Sequence, residues 1–199
     1  MNDLRKARIK AVLKYTWPFY IISALIVGVL LYFIFGITHR TPTYKTLTLF
    51  VSGEVKDVKK LKNDMLEKYK DNQLKSVTCI SSKVTDSTYF TKLTIPGYSS
   101  ADVLIIPNSI LEGLNVSAFA LDINDELYNS YYSGLTLFSQ DSVNYGIRID
   151  KEKTKEYFNL PDENCYMVLN GKSVNTGKYS LKQIEEHNNA LRVLQEWGM

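Results

Sequence analysis

Between Tyr15 and Thr38 the sequence has no charged residue. About 20 consecutive apolar residues span a bilayer as a helix. The run WPFYIISALIVGVLLYFIFGI, residues 17 to 37, meets that length. A buried helix of a soluble domain is seldom apolar on every face over this length, as this run is. Trp17 and Tyr20 stand near one end and Tyr32 nearer the other, as interfacial aromatics do. Pro18 is expected in the first turn, where its missing N–H costs little. A cleaved secretory signal has a shorter apolar region, about 7 to 15 residues, and a small-residue cleavage site. FGITHRTPTY offers no such site, and no cysteine follows for a lipid anchor. An uncleaved anchor is therefore expected. Arg5, Lys6, Arg8, Lys10 and Lys14 precede it against Asp3, and only Arg40 and Lys45 follow closely. The positive-inside rule puts the N-terminus in the cytoplasm and residues 39 to 199 outside. Gly28 lies in the span, a weak pointer to close helix contact.

The expected organisation is a basic cytoplasmic tail over residues 1 to 16, a transmembrane helix over 17 to 38, a tether over 39 to 45 and an extracytoplasmic α/β domain over 46 to 199. That last part is a comfortable size for one core. TLTLFVSG, residues 46 to 53, alternates Leu47, Leu49 and Val51 with polar residues and reads as a strand. Val55, Val58, Leu61, Met65 and Tyr69 recur at helical spacing, and KSVTCISS, residues 75 to 82, reads as a second strand. That order predicts a parallel crossover. Residues 83 to 100 are polar except YFTKLTI, read as an extra strand or extended arm. ADVLIIPNSILEGL, residues 101 to 114, runs from an apolar strand into a helix. YGIRIDKEK and CYMVLNG read as later strands, and SLKQIEEHNNALRVLQEWG as a closing helix.

These segments resemble the bacterial extracellular solute-binding proteins of ABC transporters. ADVLIIPNSILEGLNVSAFALDINDEL resembles that family's buried "aDv" strand, helix and "gaf.dLdd" turn. YGIRIDKEK resembles the strand that returns to the first lobe. CYMVLNGKSVNTGKYSLKQIEEHNNALRVLQEWG resembles its "vvN.ks.n...AlrfLe.l" strand and helix. The resemblance implies an α/β fold with a mostly parallel sheet flanked by helices. Family members hold ligand in a cleft between two lobes. Here only 17 residues separate FALDINDEL from YGIRID, so the expectation is a single truncated lobe plus one N-terminal transmembrane helix.

Ligands of open parallel sheets bind at the carboxyl ends of strands. Ser52, Gly53, Ser81, Asn108 and Ser109 fall there and are the candidate ligand-binding residues. Backbone N–H groups at helix starts attract anions. The plainer expectation is that Ser52 and Asn108 or Ser109 cap helices. ELYNSYYSGLTLFSQDSVNYG, residues 126 to 146, lies where a second lobe would be inserted. Its Tyr128, Tyr131, Tyr132 and Tyr145 are the candidate partner-binding residues, since aromatics on irregular segments are enriched at interfaces. Phe138 and one tyrosine are expected inward, and Tyr131 or Tyr132 exposed.

Enzyme motifs are wanting. A sortase is excluded for Cys79 in SVTC, because the only upstream histidine is His39, next to the membrane, and no arginine follows until Arg148; no signal-peptidase-like serine motif is present. Cys79 and Cys165 lie in apolar strands, where buried free thiols are expected; their spacing leaves a disulfide open. Asp122, Asn124 and Glu126 begin a calcium loop without its glycine and distant glutamate. His187 reads as a surface residue. No catalytic residue, metal or cofactor is expected. Net charge is +3, too small to argue for nucleic acid. The expected function is a membrane-anchored binding or accessory module that docks on another membrane or envelope protein. A small-ligand sensor or transporter component, and an unrecognised membrane-anchored hydrolase, are the alternatives.

Overall fold

The computed structural model describes residues 2 to 38, 41 to 124, 126, 128 to 176 and 188 to 199. The chain divides into two compact units, residues 1 to 40 and 41 to 199. In the first, α1 (Asn2–Thr38) is one continuous helix of 37 residues. Its basic start, expected as a tail, is helical because Leu, Arg, Lys and Ala all favour helix. Pro18 consequently lies well inside the helix and not in its first turn. Its missing N–H leaves the Lys14 carbonyl without the usual partner. Lys14–Gly36, 23 residues, is long and apolar enough to cross a membrane. At 1.5 Å per residue it covers about 35 Å, against a hydrocarbon core of about 30 Å. His39 lies outside the described residues.

The second unit is a mixed α/β domain. Its first half holds β1 (Thr46–Ser52), β2 (Glu54–Val55), α2 (Val58–Lys68), β3 (Ser76–Ser82), α3 (Tyr89–Lys92), α4 (Tyr98–Ser100), β4 (Val103–Pro107) and α5 (Asn108–Glu112). Its second half holds β5 (Leu137–Gln140), β6 (Val143–Arg148), α6 (Lys151–Thr154), β7 (Phe158–Asn159), β8 (Cys165–Leu169) and α7 (Asn189–Trp197). Six strands form one sheet in the order β3-β1-β4-β8-β6-β5. The pairs β1–β3 and β1–β4 are parallel, and β4–β8, β8–β6 and β6–β5 are antiparallel. Four of the six strands therefore point one way, with β8 and β5 reversed.

The sheet is buried on both faces, and strand alternation sorts its side chains between two cores. Leu47, Leu49, Val51, Val103, Ile105, Met167 and Leu169 face α2 and α7. Phe50, Leu104, Ile106 and Val168 face the opposite side with Tyr89, Leu93 and Leu111. Residues 89 to 100 are helical, not extended. Tyr89 and Leu93, one turn apart, are both fully buried, and their burial decides the conformation. A wider turn over Leu93–Gly97 accommodates Pro96. Of the expected closing helix, Asn189–Trp197 is found. Residues 177 to 187, with His187, lie outside the described residues.

Asp57 caps α2 by accepting the N–H groups of Lys59 and Lys60, both at 2.9 Å. Ser52 therefore does not cap it. β2 pairs with β7, setting Glu54 against Asn159 and Val55 against Phe158. Gly53 makes this approach possible, because a Cβ there would lie 2.5 Å from the Asn159 carbonyl oxygen. Gly53→Ala is expected to destabilise the chain by about 1–3 kcal/mol, the usual size of an overpacking penalty, read as a lower denaturant midpoint with the slope unchanged.

Candidate functional site

β1, β3 and β4 run parallel in register, so their carboxyl ends lie side by side, with Ser52 opposite Ser82 and Val51 opposite both Ser81 and Ile105. Ser52, Gly53, Ser81, Asn108 and Ser109 all reach this end, but they do not line one open site. Ser52 is fully buried and shares a 2.7 Å hydrogen bond with the Tyr89 hydroxyl. Gly53 is held against residues 159 and 160. Ser81 is exposed. Asn108 donates through Nδ2 to Glu112 at 2.6 Å, and its backbone N–H donates to the Asn164 carbonyl at 2.9 Å.

Ser109 answers the question of an anion site. Its N–H donates to Glu163 Oε2 at 2.8 Å, and its hydroxyl to Glu163 Oε1 at 2.7 Å. The first free N–H groups of a helix attract a carboxylate. Here the chain supplies that carboxylate from the segment leading into β8. Neither Asn108 nor Ser109 caps α5 with its own side chain, since Pro107 occupies the cap position.

The opposite end of the sheet carries a buried polar network. Asp102, 7% exposed, accepts the Thr48 N–H through Oδ2 at 2.7 Å and the Ser173 hydroxyl through Oδ1. Asn170 donates through Nδ2 to the carbonyls of Ala101 at 2.8 Å and Tyr98 at 2.9 Å. Asn175 donates to the Thr46 carbonyl at 2.8 Å. A cavity of about 370 Å³ opens beside them, lined by Thr46, Thr48, Asp102, Asn170, Lys172 and Ser173 among others. Asp102, Asn170, Ser173 and Asn175 stand at the polar positions of ADV and NGKSVN, the stretches that carry the family resemblance. Sequence reasoning did not place them in a site. An aspartate at the head of an apolar strand was the available signal.

The tyrosine segment is more buried than expected. Tyr132, in the wide turn Tyr128–Tyr132, is fully buried in the core with its hydroxyl unpartnered, and burial raises its pKa. Tyr145 is buried on β6, and Phe138 on β5. Tyr132 and Tyr145 therefore offer no surface to a partner, because each is buried in one of the two cores. The Tyr128 side chain lies outside the described residues. Tyr131 is half-buried and lines an open groove with Lys68, Tyr69, Arg192 and Glu196. The Tyr69 hydroxyl donates to Glu196 Oε2 at 2.5 Å, and Lys68 also pairs with Glu196.

Both cysteines are free. Cys79 lies on β3 and Cys165 on β8, three strand spacings apart, about 14 Å at ~4.8 Å per strand. A disulfide needs Cα atoms within about 7 Å. Burial pushes the thiols up, Cys79 to about 12 and Cys165 to about 11. Among the described residues no group of three or more His, Cys, Asp or Glu is placed to hold a metal.

No family model and no curated protein matches the chain. Among solved structures it has distant similarity to an ABC substrate-binding protein and to a protein from work on xylan utilization. One is the ABC substrate-binding protein Lmo0181 from Listeria monocytogenes in complex with cycloalternan, at TM-score 0.30 and 13% identity. Another comes from work on xylan utilization by the thermophilic bacterium Caldanaerobius polysaccharolyticus, at TM-score 0.31 and 18% identity. Each match covers 56% of this chain and 32% of the other. The chain thus aligns with about a third of either protein.

The Asp102 network makes a signed prediction. Burial, only partly offset by the Ser173 and Thr48 donors, raises the Asp102 pKa above its ordinary 3.8. Its ionisation therefore costs the fold, and that cost disappears as the pH falls through the folded pKa. The stability difference between the natural chain and Asp102→Asn should shift in favour of the natural chain on acidification from neutral pH towards pH ~4. At neutral pH Asp102→Ala should cost about 2–4 kcal/mol, since it strands the Thr48 N–H and the Ser173 hydroxyl. Denaturant titrations at both pH values check both statements.

Proposed function

We propose that the chain is a membrane-anchored, non-enzymatic docking module. In this reading α1 stays in the membrane with its basic end in the cytoplasm, and residues 39 to 199 lie outside. The outer domain, one solute-binding-protein-like lobe, contacts another membrane or envelope protein. The observation that carries this reading is the closure of the carboxyl edge by Glu163. A small ligand at that edge would have to displace a carboxylate already seated on the Ser109 N–H and hydroxyl. The two thiols also favour a non-catalytic role, since raised pKa values keep them protonated and poor nucleophiles.

A second reading, a small-ligand sensor or transporter component, draws support from the polar cavity beside Asp102 and Lys172. Thermal melts of the full-length chain in lipid nanodiscs, with and without malto- and xylo-oligosaccharides, separate the two. The docking reading predicts an unchanged Tm. A rise of several degrees that Lys172→Ala removes would give the function to a small ligand. The topology has its own test. Thr43→Cys should react with an impermeant maleimide on intact cells, with the unsubstituted chain as control, and protection would place the domain inside.

A further inference from the structure

The two edges of the sheet are built differently. β5 is four residues long, is bulged between Phe138 and Ser139, and turns through Asp141 and Ser142 at positive φ. Short, bulged edges resist an added strand. β3 has none of these devices. It runs seven residues, Ser76–Ser82, in unbroken register with β1, with no proline and no charged side chain. Among the described residues its backbone makes no hydrogen bond beyond the ladder to β1. Thr78 and Ser81 are exposed, and Cys79 and Ile80 are half-buried.

The ground beside this edge is basic at one end. Lys75 enters the strand, and Lys62 of α2 is near enough to Cys79 to act on its thiol electrostatically. Val58 and Leu66, one turn either side of Lys62, add partly exposed apolar surface. Of the acids on and around α2, Asp57 caps the helix, Asp64 accepts the Tyr157 hydroxyl and Glu156 pairs with Lys60, while Glu67 and Asp71 are exposed. At the far end Lys83 is balanced by Glu54 at 3.0 Å. A second copy added antiparallel about Cys79 would set its Lys83, already paired with Glu54, opposite Lys75, and so would bring Lys75 no free carboxylate. An acidic strand supplies one.

We propose that the edge of β3 left unpaired among the described residues takes an extended, acidic segment of a partner protein as a seventh strand, with its carboxylates beside Lys75 and Lys62. Main-chain hydrogen bonds would supply affinity, and alternate side chains specificity. This rests on the docking reading and names where docking occurs and by what chemistry.

The test uses the full-length chain in nanodiscs and fluorescent peptides of about ten residues, a length that covers one strand. One peptide alternates valine and threonine between terminal glutamates. A second carries lysines in their place, and a third has a central proline. The glutamate peptide should bind saturably and slow amide exchange in Ser76–Ser82 but not in Leu137–Gln140. Lysine ends, or Lys62→Glu with Lys75→Glu in the protein, should weaken binding roughly tenfold. Melts establish that the variants are folded, and Lys75→Glu alone, at an exposed position, gives the same reading should the double variant unfold. No saturable binding, equal binding of the acidic and basic peptides, or slowed exchange only outside β3 would overturn the proposal. So would cross-linking of two copies through Cys79, which would give the edge to self-association. Photo-cross-links from Tyr131 to a membrane protein, with β3 silent, would remove this site and leave docking standing. An oligosaccharide-dependent melt would remove docking itself.

Discussion

The direction of β8 beside β4 is the constraint on which the rest of the outer domain depends. The two strands are antiparallel from Val103 opposite Leu169 to Pro107 opposite Cys165. Entry into β8 therefore falls at the carboxyl ends of the parallel strands, and exit from it falls at their amino ends. The entering segment brings Glu163 to Ser109 and the Asn164 carbonyl to the Asn108 N–H. The leaving segment brings Asn170 and Ser173 to Ala101 and Asp102. One strand direction thus fills both ends of the sheet with the chain's own polar groups. In an all-parallel sheet the carboxyl edge would have stayed open.

The two ends are filled by different chemistry. At the carboxyl edge a carboxylate on Ser109 satisfies exposed helix donors, and Gly53 lets the backbone of Asn159 close over β1. At the amino end the groups are buried, so each donor left without an acceptor would cost the fold. The latter end coincides with the motifs that resemble solute-binding proteins. Similarity in such positions carries fold and leaves function to be argued from surfaces.

Most of the first half was legible in the sequence, since Leu47, Leu49 and Val51 alternate and Leu61 and Met65 recur at helical spacing. The entry from β4 into α5 was legible from Pro107. What escaped had little local signal. β2 and β7 are two residues each and exist only as each other's partner. β5 is four residues with a bulge. The stretch from Tyr89 to Ile95 looked extended because threonine and isoleucine disfavour helix; burial of Tyr89 and Leu93 overrode that. The tyrosines looked irregular because they straddle a wide turn and a strand, which places Tyr132 and Tyr145 inward and leaves Tyr131 at the surface. The long-range partner Glu163, 54 residues from Ser109, was beyond any local pattern.

The central claim is that the carboxyl edge is held shut by the segment entering β8. Amide hydrogen exchange of the full-length chain in nanodiscs, without added ligand, tests it most directly at Asn108 and Ser109. These N–H groups donate to Asn164 and Glu163. The account predicts that both exchange as slowly as the interior amides of β4, and that Glu163→Ala speeds Ser109 selectively. Fast exchange at both positions, unaffected by that substitution, would show an edge that stands open and would contradict the account.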